Sequence, residues 1–256
     1  MTQILAGAEP LSHVGTTTTG VLAIHGFTGN PSSMRAIADA MVALGHHVEL
    51  PLLPGHGTAM DDMLDTGWAD WSAAAEAAYL RLAERTDRVV VAGLSMGGSL
   101  TLWTALAHPE VTGIVCINPA TRPQAADVIE MVTELVEEGN EVMPGIGGDI
   151  ADPDVVESAY PGTPLRALLS FQTGGLAAMA DRYGELTMPG LVITSRQDHV
   201  VDPSDSEHLV ASLGGEVEHV WLERSYHVAT QDYDRDDIVA MVSAFVERVT
   251  DKQVAS

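Results

Sequence analysis

The stretch RVVVAGLSMGGSLTLWTALAH, Arg88–His108, decides the fold. It begins as an apolar run, RVVVA, of the kind a strand buried on both faces requires. It ends as SLTLWTALAH, which reads as a helix. Between the two stands Gly93-Leu94-Ser95-Met96-Gly97-Gly98. A strand that passes into a helix through so tight a turn leaves no room for side chains two positions either side of Ser95, hence Gly93 and Gly97. Ser95 is then presented at the carboxyl end of the strand. The helix N-terminus beside it carries a partial positive charge that favours a developing oxyanion. A bare G-x-S-x-G also describes a Gly-rich turn with an incidental serine. The strand–turn–helix setting makes Ser95 a candidate nucleophile.

Outward from this unit the chain repeats the same alternation. Strands are predicted at Val21–Ile24, His47–Leu50, Arg88–Ala92, Gly113–Ile117, Gly190–Thr194 and Glu216–Leu222. The segment Trp68–Arg85 repeats Trp71, Ala74, Ala75, Ala78, Tyr79 and Leu82 at helical spacing. The last helix presents Ile238, Met241, Val242, Phe245 and Val249 on one face, behind acidic Asp234, Asp236 and Asp237 at its N-terminal end. Alternating strands and helices mean an α/β fold with a mostly parallel sheet, within a single domain over 1–256. One interval breaks the pattern. About seventy residues between Ile117 and Gly190 lack a clear core strand. They hold an amphipathic helix near Ala125–Glu138, a Gly/Pro-rich turn (MPGIGGD) and a second helical stretch near Pro164–Met179. An excursion this long is expected to be a cap, approximately 120–186, inserted over the site.

A serine hydroxyl needs a base beside it and a third group to orient that base. Asp198, in SRQDHVV, and His227, in RSYHVAT, each follow a predicted strand, in the chain order Ser, Asp, His that this kind of fold uses. Other groups compete less well. Asp202 precedes Pro203 in a helix-capping position, Asp232 and Asp234 follow His227 too closely, and His199 reads as a loop residue. The loop His25-Gly26-Phe27-Thr28-Gly29 follows the first clear strand. Two backbone N–H groups, of Phe27 and of Met96 after the nucleophile, are the expected oxyanion donors. His25 itself reads as a structural loop histidine rather than a catalytic group.

Composition excludes partners more than it names them. The chain of 256 residues carries 36 acidic against 12 basic residues, a formal charge of −24, and Lys252 is its one lysine. Such a surface repels nucleic acid and anionic lipid headgroups and favours neutral substrates. No H-E-x-x-H or Cys/His spacing occurs, so no metal is expected. No Walker A sequence and no G-x-G-x-x-G after a strand occurs, so no cofactor is expected either. Cys116 is alone and reads as a small apolar core residue. With no basic n-region and apolar h-region at the start, and no run of 18 apolar residues, the expectation is a cytoplasmic protein without a membrane span. Met131 and Leu135 in the cap would either make transient lipid contact or close over the site. Oligomeric state is not legible.

The chain resembles the bacterial monoacylglycerol lipases and their close carboxylesterase relatives over nearly its whole length. The likeness runs from LAGAEP near the start through GVLAIHGFTGNPSSMR, PLLPGHGT, GLSMGGSLTL, DPDVVESAY and QDHVVDP to SYHVATQDYD. It implies an α/β-hydrolase fold with Ser95, Asp198 and His227 as triad and Phe27 and Met96 as oxyanion donors. It further implies a cap lining a long apolar acyl tunnel, with a small polar pocket for a glycerol leaving group. There Glu157 would hold a glycerol hydroxyl and Ile146 would contact the glyceryl moiety. From the residues alone, Glu157 is an exposed helix carboxylate. The implied activity is hydrolysis of monoacylglycerols through an acyl-enzyme. A general short-to-medium-chain carboxylesterase or thioesterase shares every one of these catalytic residues. A peptidase or C–C hydrolase and a non-catalytic ligand-binding homologue are the further alternatives.

Overall fold

The computed structural model describes residues 3–145 and 148–251, which leaves Ile146 outside the described residues. In chain order the elements are β1 (Leu11–His13), β2 (Thr19–Ile24), α1 (Arg35–Ala43), β3 (His47–Leu50), α2 (Trp68–Ala83), β4 (Arg88–Leu94), α3 (Met96–Ala107) and β5 (Gly113–Ile117). There follow α4 (Ala126–Glu137), β6 (Val142–Pro144), β7 (Gly162–Pro164), α5 (Leu165–Ser170), α6 (Ala177–Met179), β8 (Gly190–Ser195), α7 (Ser204–Ser212), β9 (Val217–Leu222) and α8 (Arg235–Thr250). Seven strands form one sheet in the order β1-β3-β2-β4-β5-β8-β9, parallel throughout except for the antiparallel edge strand β1.

The continuous apolar runs of the central strands follow from burial on both faces. Along β2 and β4, Leu22, Ile24, Val89 and Val91 enter one core cluster, while Val21, Ala23, Val90 and Ala92 enter the other. The first cluster is covered by Trp71, Ala75, Tyr79 and Leu82 of α2 and by Leu100 of α3. The second is covered by Ile37 and Met41 of α1 and by Ile238, Val242 and Phe245 of α8. The chain turns from β2 outward to β3, then jumps back across β2 to β4. Loops leaving the carboxyl ends of β2 and β4 therefore diverge at this reversal, and in open α/β sheets the resulting crevice is where ligands bind.

All six predicted strands are present within a residue or two at their ends. Three short strands are not in that reading. Three-residue β1 is too brief to show a period, and β6 and β7 form a separate two-stranded antiparallel ladder in the interval between β5 and β8. The helix expected at Pro164–Met179 is divided. Residues Leu165–Ser170 are α-helical, Phe171–Leu176 (FQTGGL) widen into a π-helical stretch, and Ala177–Met179 close the segment. Within that stretch stands Gly175, where a Cβ would sit 2.7 Å from the ring of Trp68. The glycine lets that aromatic plane lie against the backbone.

Candidate active site

At the elbow, backbone sterics dictate the sequence. A Cβ on Gly93 would run into the Gly97 carbonyl, and one on Gly97 into the carbonyls of Ile24 and His25. Ser95 sits at φ 56° and ψ −120°, a left-handed conformation that a residue with a side chain adopts at a cost of about 1–3 kcal/mol. Its amide donates to Ile117 O at 2.9 Å, and its carbonyl accepts the amides of Gly98 and Ser99 at 2.8 and 3.2 Å, so the first turn of α3 holds the strained residue in place. Met96 is the first residue of that helix, where an N–H has no intrahelical acceptor.

Asp198 follows β8 and His227 follows β9. Asp198 Oδ1 accepts the amides of Val200 and Val201, each at 2.9 Å, and Oδ2 lies 2.7 Å from His227 Nδ1. The two side chains are 2% and 8% exposed. An imidazole held on Nδ1 by a buried carboxylate keeps its other nitrogen for proton transfer. Ser95 and His227 line the same cavity. Asn118, just past β5, ties the end of β8 to the His227 loop. Its Oδ1 accepts the Ser195 amide at 2.7 Å and its Nδ2 donates to the His227 carbonyl at 2.7 Å.

The loop after β2 is fixed by aromatic packing and a buried histidine. Phe27 stacks on Phe171 (centroids 6.3 Å apart) and meets Trp71 edge-on at 5.7 Å. His25 is wholly buried. Its Nε2 accepts the Leu53 amide at 3.1 Å, and its Nδ1 is 2.9 Å from the Gly26 carbonyl. Burial, with a smaller contribution from neighbouring His56, lowers the His25 pKa to about 3. Both ring nitrogens are engaged by main chain, which is a structural role. Gly26 lies against Ser95, and a Cβ there would be 3.3 Å from the serine Cβ.

The cavity measures about 830 Å³. Val128, Met131 and Val132 of α4 and Leu168, Phe171 and Leu176 of the following segment supply an apolar part of its wall. Met131 is 49% exposed, so it borders both cavity and solvent. Glu157 also lines the cavity, from an irregular segment rather than the helix expected for DPDVVESAY. Its Oε1 and Oε2 lie 3.6 and 3.4 Å from where Cβ atoms on Gly29 and Gly148 would be. Burial raises its pKa above the ordinary carboxylate value, opposed by the His227 imidazole and reinforced by Asp149. The exposed carboxylate read from sequence is thus a mostly enclosed one, because the irregular segment folds back over Gly29.

The competing acids take other positions. Asp202 Oδ1 accepts the Ser204 amide at 2.8 Å at the start of α7, the capping role its place before Pro203 suggests. Asp234 accepts the Ser225 amide and pairs with Arg224. Asp232 accepts the amides of Tyr226, Tyr233, Ala151 and Asp152. His199 pairs with Asp149, a residue that sequence reasoning passed over. Asn118 and Asp149 carry no motif: an Asn or Asp in a loop announces nothing until the chain closes around it.

A strained serine on the β4–α3 turn and an Asp198–His227 pair past β8 and β9, around one cavity, define the α/β-hydrolase class. Residues 16–234 match the family described as serine aminopeptidase, S33 (Hydrolase_4), and the chain belongs to it. It is 41% identical over 241 residues to a thermostable monoacylglycerol lipase from Bacillus sp. (strain H-257), covering 92% of this chain and 93% of that protein. A carboxylesterase from Bacillus subtilis (strain 168) is 24% identical over 231 residues, covering 90% and 92%. A solved structure from work on LipS and LipT, two metagenome-derived lipolytic enzymes, superposes with a TM-score of 0.90 at 42% identity, covering 96% of this chain and 100% of that one.

Proposed function

We propose that the protein is a carboxylic ester hydrolase that cleaves monoacylglycerols to fatty acid and glycerol through an acyl-enzyme on Ser95. The observation that carries the reading is one cavity lined by the elbow serine, by His227 of the Asp198–His227 pair, by an apolar wall and by the carboxylate of Glu157. His227 takes the Ser95 proton as the hydroxyl attacks the ester carbonyl, and Asp198 stabilises the imidazolium. The amides of Phe27 and Met96 receive the developing oxyanion. Protonated by His227, the alcohol departs, and water hydrolyses the acyl-enzyme by the same route.

The segment between β5 and β8 acts as a cap: its apolar residues take the acyl chain, and Glu157 accepts a hydroxyl of the glycerol. A role for Ile146 beside the glyceryl group is part of the same reading. Among the described residues no helix is long and apolar enough to cross a membrane. Met131 of α4, at the cavity rim and half exposed, is where a lipid substrate would meet the protein.

Monoacylglycerols, simple alkyl esters, thioesters and triacylglycerols, compared by kcat/KM on the purified protein, test the reading. Highest values for monoacylglycerols are expected. Equal or higher values for alkyl esters would favour a general carboxylesterase, which the mixed lipase and esterase relatives keep in play.

A further inference from the structure

Asp149 lies in the chain between β5 and β8, far in sequence from both Asp198 and His227, yet it touches the loops of both. Its Oδ2 accepts the backbone amide of His227 at 3.1 Å and that of His199, the residue after Asp198, at 3.0 Å. Its Oδ1 lies 2.8 Å from His199 Nδ1, and its own carbonyl accepts the Val228 amide at 3.0 Å. The side chain is 10% exposed. The attachment is reciprocal. From the His227 loop, Asp232 accepts the amides of Ala151 and Asp152 at 2.7 and 3.1 Å, and that of Tyr226 at 2.9 Å. His227 is thereby held through its backbone from two sides, its N–H by Asp149 and its carbonyl by Asn118 of the sheet.

We infer that Asp149 is a positioning residue for the acid–base pair: one carboxylate of the inserted segment holds the Asp198 and His227 loops in register, so the seating of that segment sets the rate of acylation. The inference rests on the Ser–His–Asp reading above. Geometry is the reason to expect a rate effect. The Asp198–His227 contact is a single 2.7 Å hydrogen bond between side chains on separate loops. A displacement of about 1 Å at such a centre costs on the order of 100-fold. Asp149 is the described residue whose side chain bonds both loops' backbones at these two points.

The test uses the purified full-length protein and p-nitrophenyl butyrate, whose leaving group needs no polyol pocket. Asp149→Ala is expected to lower kcat roughly 30- to 100-fold with KM within about twofold, and to slow fluorophosphonate labelling of Ser95 by a similar factor. Asp149→Asn should recover most of that loss, since one amide oxygen can accept both backbone N–H groups while the NH2 faces His199. Should the alanine variant not fold, Asp149→Glu, with the carboxylate displaced by one methylene, is expected to lose at least about tenfold in kcat. Wild-type kcat in folded Asp149→Ala or Asp149→Glu would overturn the inference, as would a loss confined to KM. So would an asparagine variant as slow as the alanine one. Ser95→Ala, run alongside, separates the two claims: persistent activity there would sink the triad itself, whereas an inactive serine variant beside an unaffected Asp149→Ala removes the positioning role alone.

Discussion

The elbow and the inserted segment border one cavity and are held by opposite means. At the elbow, position is fixed by the absence of atoms: Gly93 and Gly97 let carbonyls approach where a Cβ would collide, and Ser95 is forced to a positive φ. The inserted segment, besides its apolar packing, is tied down by carboxylates. Asp205 of α7 accepts the Thr121 and Arg122 amides and pairs with the Arg122 guanidinium where the segment leaves the sheet. Asp232 accepts two amides farther along, and Asp149 reaches back to the Asp198 and His227 loops. A steric device tolerates no substitution. A carboxylate accepting backbone N–H groups gives way by degrees, as its hydrogen bonds weaken or shift.

The largest expected effect falls on the elbow. Ser95→Ala should lower kcat/KM for p-nitrophenyl esters by about 10⁴- to 10⁶-fold while the protein stays folded, because the remaining groups cannot act without the nucleophile. Stopped assays on folded variant protein check it, and a loss below tenfold would remove Ser95 from the mechanism. Next comes a pair of glycines. Gly97→Ala, aimed into two carbonyls, is expected to cost about 3 kcal/mol or to prevent folding. Gly29→Ala meets only ordinary contacts at 3.6 Å and should stay within about 0.5 kcal/mol of wild type. Urea unfolding of the two variants measures the contrast directly; equal costs would erase it.

Burial also keeps the ground beneath the elbow uncharged. His25 is lowered to about 3 and His56 to about 4, in both cases chiefly by burial. In the unfolded chain each titrates near 6.5, so as pH falls below that value the unfolded state gains protons that the folded state refuses. Stability is therefore complete above about pH 6.5 and is lost on acidification, by about 2 kcal/mol per histidine between pH 6.5 and 5. Urea midpoints across that window report the slope. In His56→Gln the slope should be shallower, and a wild-type midpoint indifferent to pH over this range would mean that these rings are not held neutral.

The same contrast explains what could be read from the chain. Gly93, Ser95 and Gly97 are legible because tight backbone approach admits one residue type, and Asp198 and His227 because parallel strands deliver them to one sheet edge in a set order. The six core strands are legible because burial on both faces leaves unbroken apolar runs. Glu157 reads as a helix carboxylate because local composition cannot report a loop that folds over Gly29 across more than a hundred residues of chain. The amide-accepting roles of Asp149, Asp205 and Asp232 are hidden for the same reason. In a chain with 36 acidic residues, which of them accept buried amides is decided by tertiary closure. The π-helical stretch carries no local signal either, and the Trp68 ring that packs on its Gly175 is equally non-local.

Glu157 offers the finest test of the charged side. Its carboxyl oxygens lie between Gly29 and Gly148, and among the described residues they have no hydrogen-bond partner, so a hydroxyl of the leaving alcohol would be their first. A hydrogen bond to an ionised acceptor is worth about 1 kcal/mol more than one to a neutral amide. Glu157→Gln should therefore lower kcat/KM for a monoacylglycerol by only about fivefold, and leave p-nitrophenyl butyrate within about twofold. Because burial raises this carboxyl above its ordinary value, its charge is lost on acidification earlier than for an exposed glutamate. The ratio of monoacylglycerol to p-nitrophenyl ester activity should thus fall with pH in the wild type and stay flat in the glutamine variant. A ratio that is pH-independent in both would place the polyol elsewhere in the cavity.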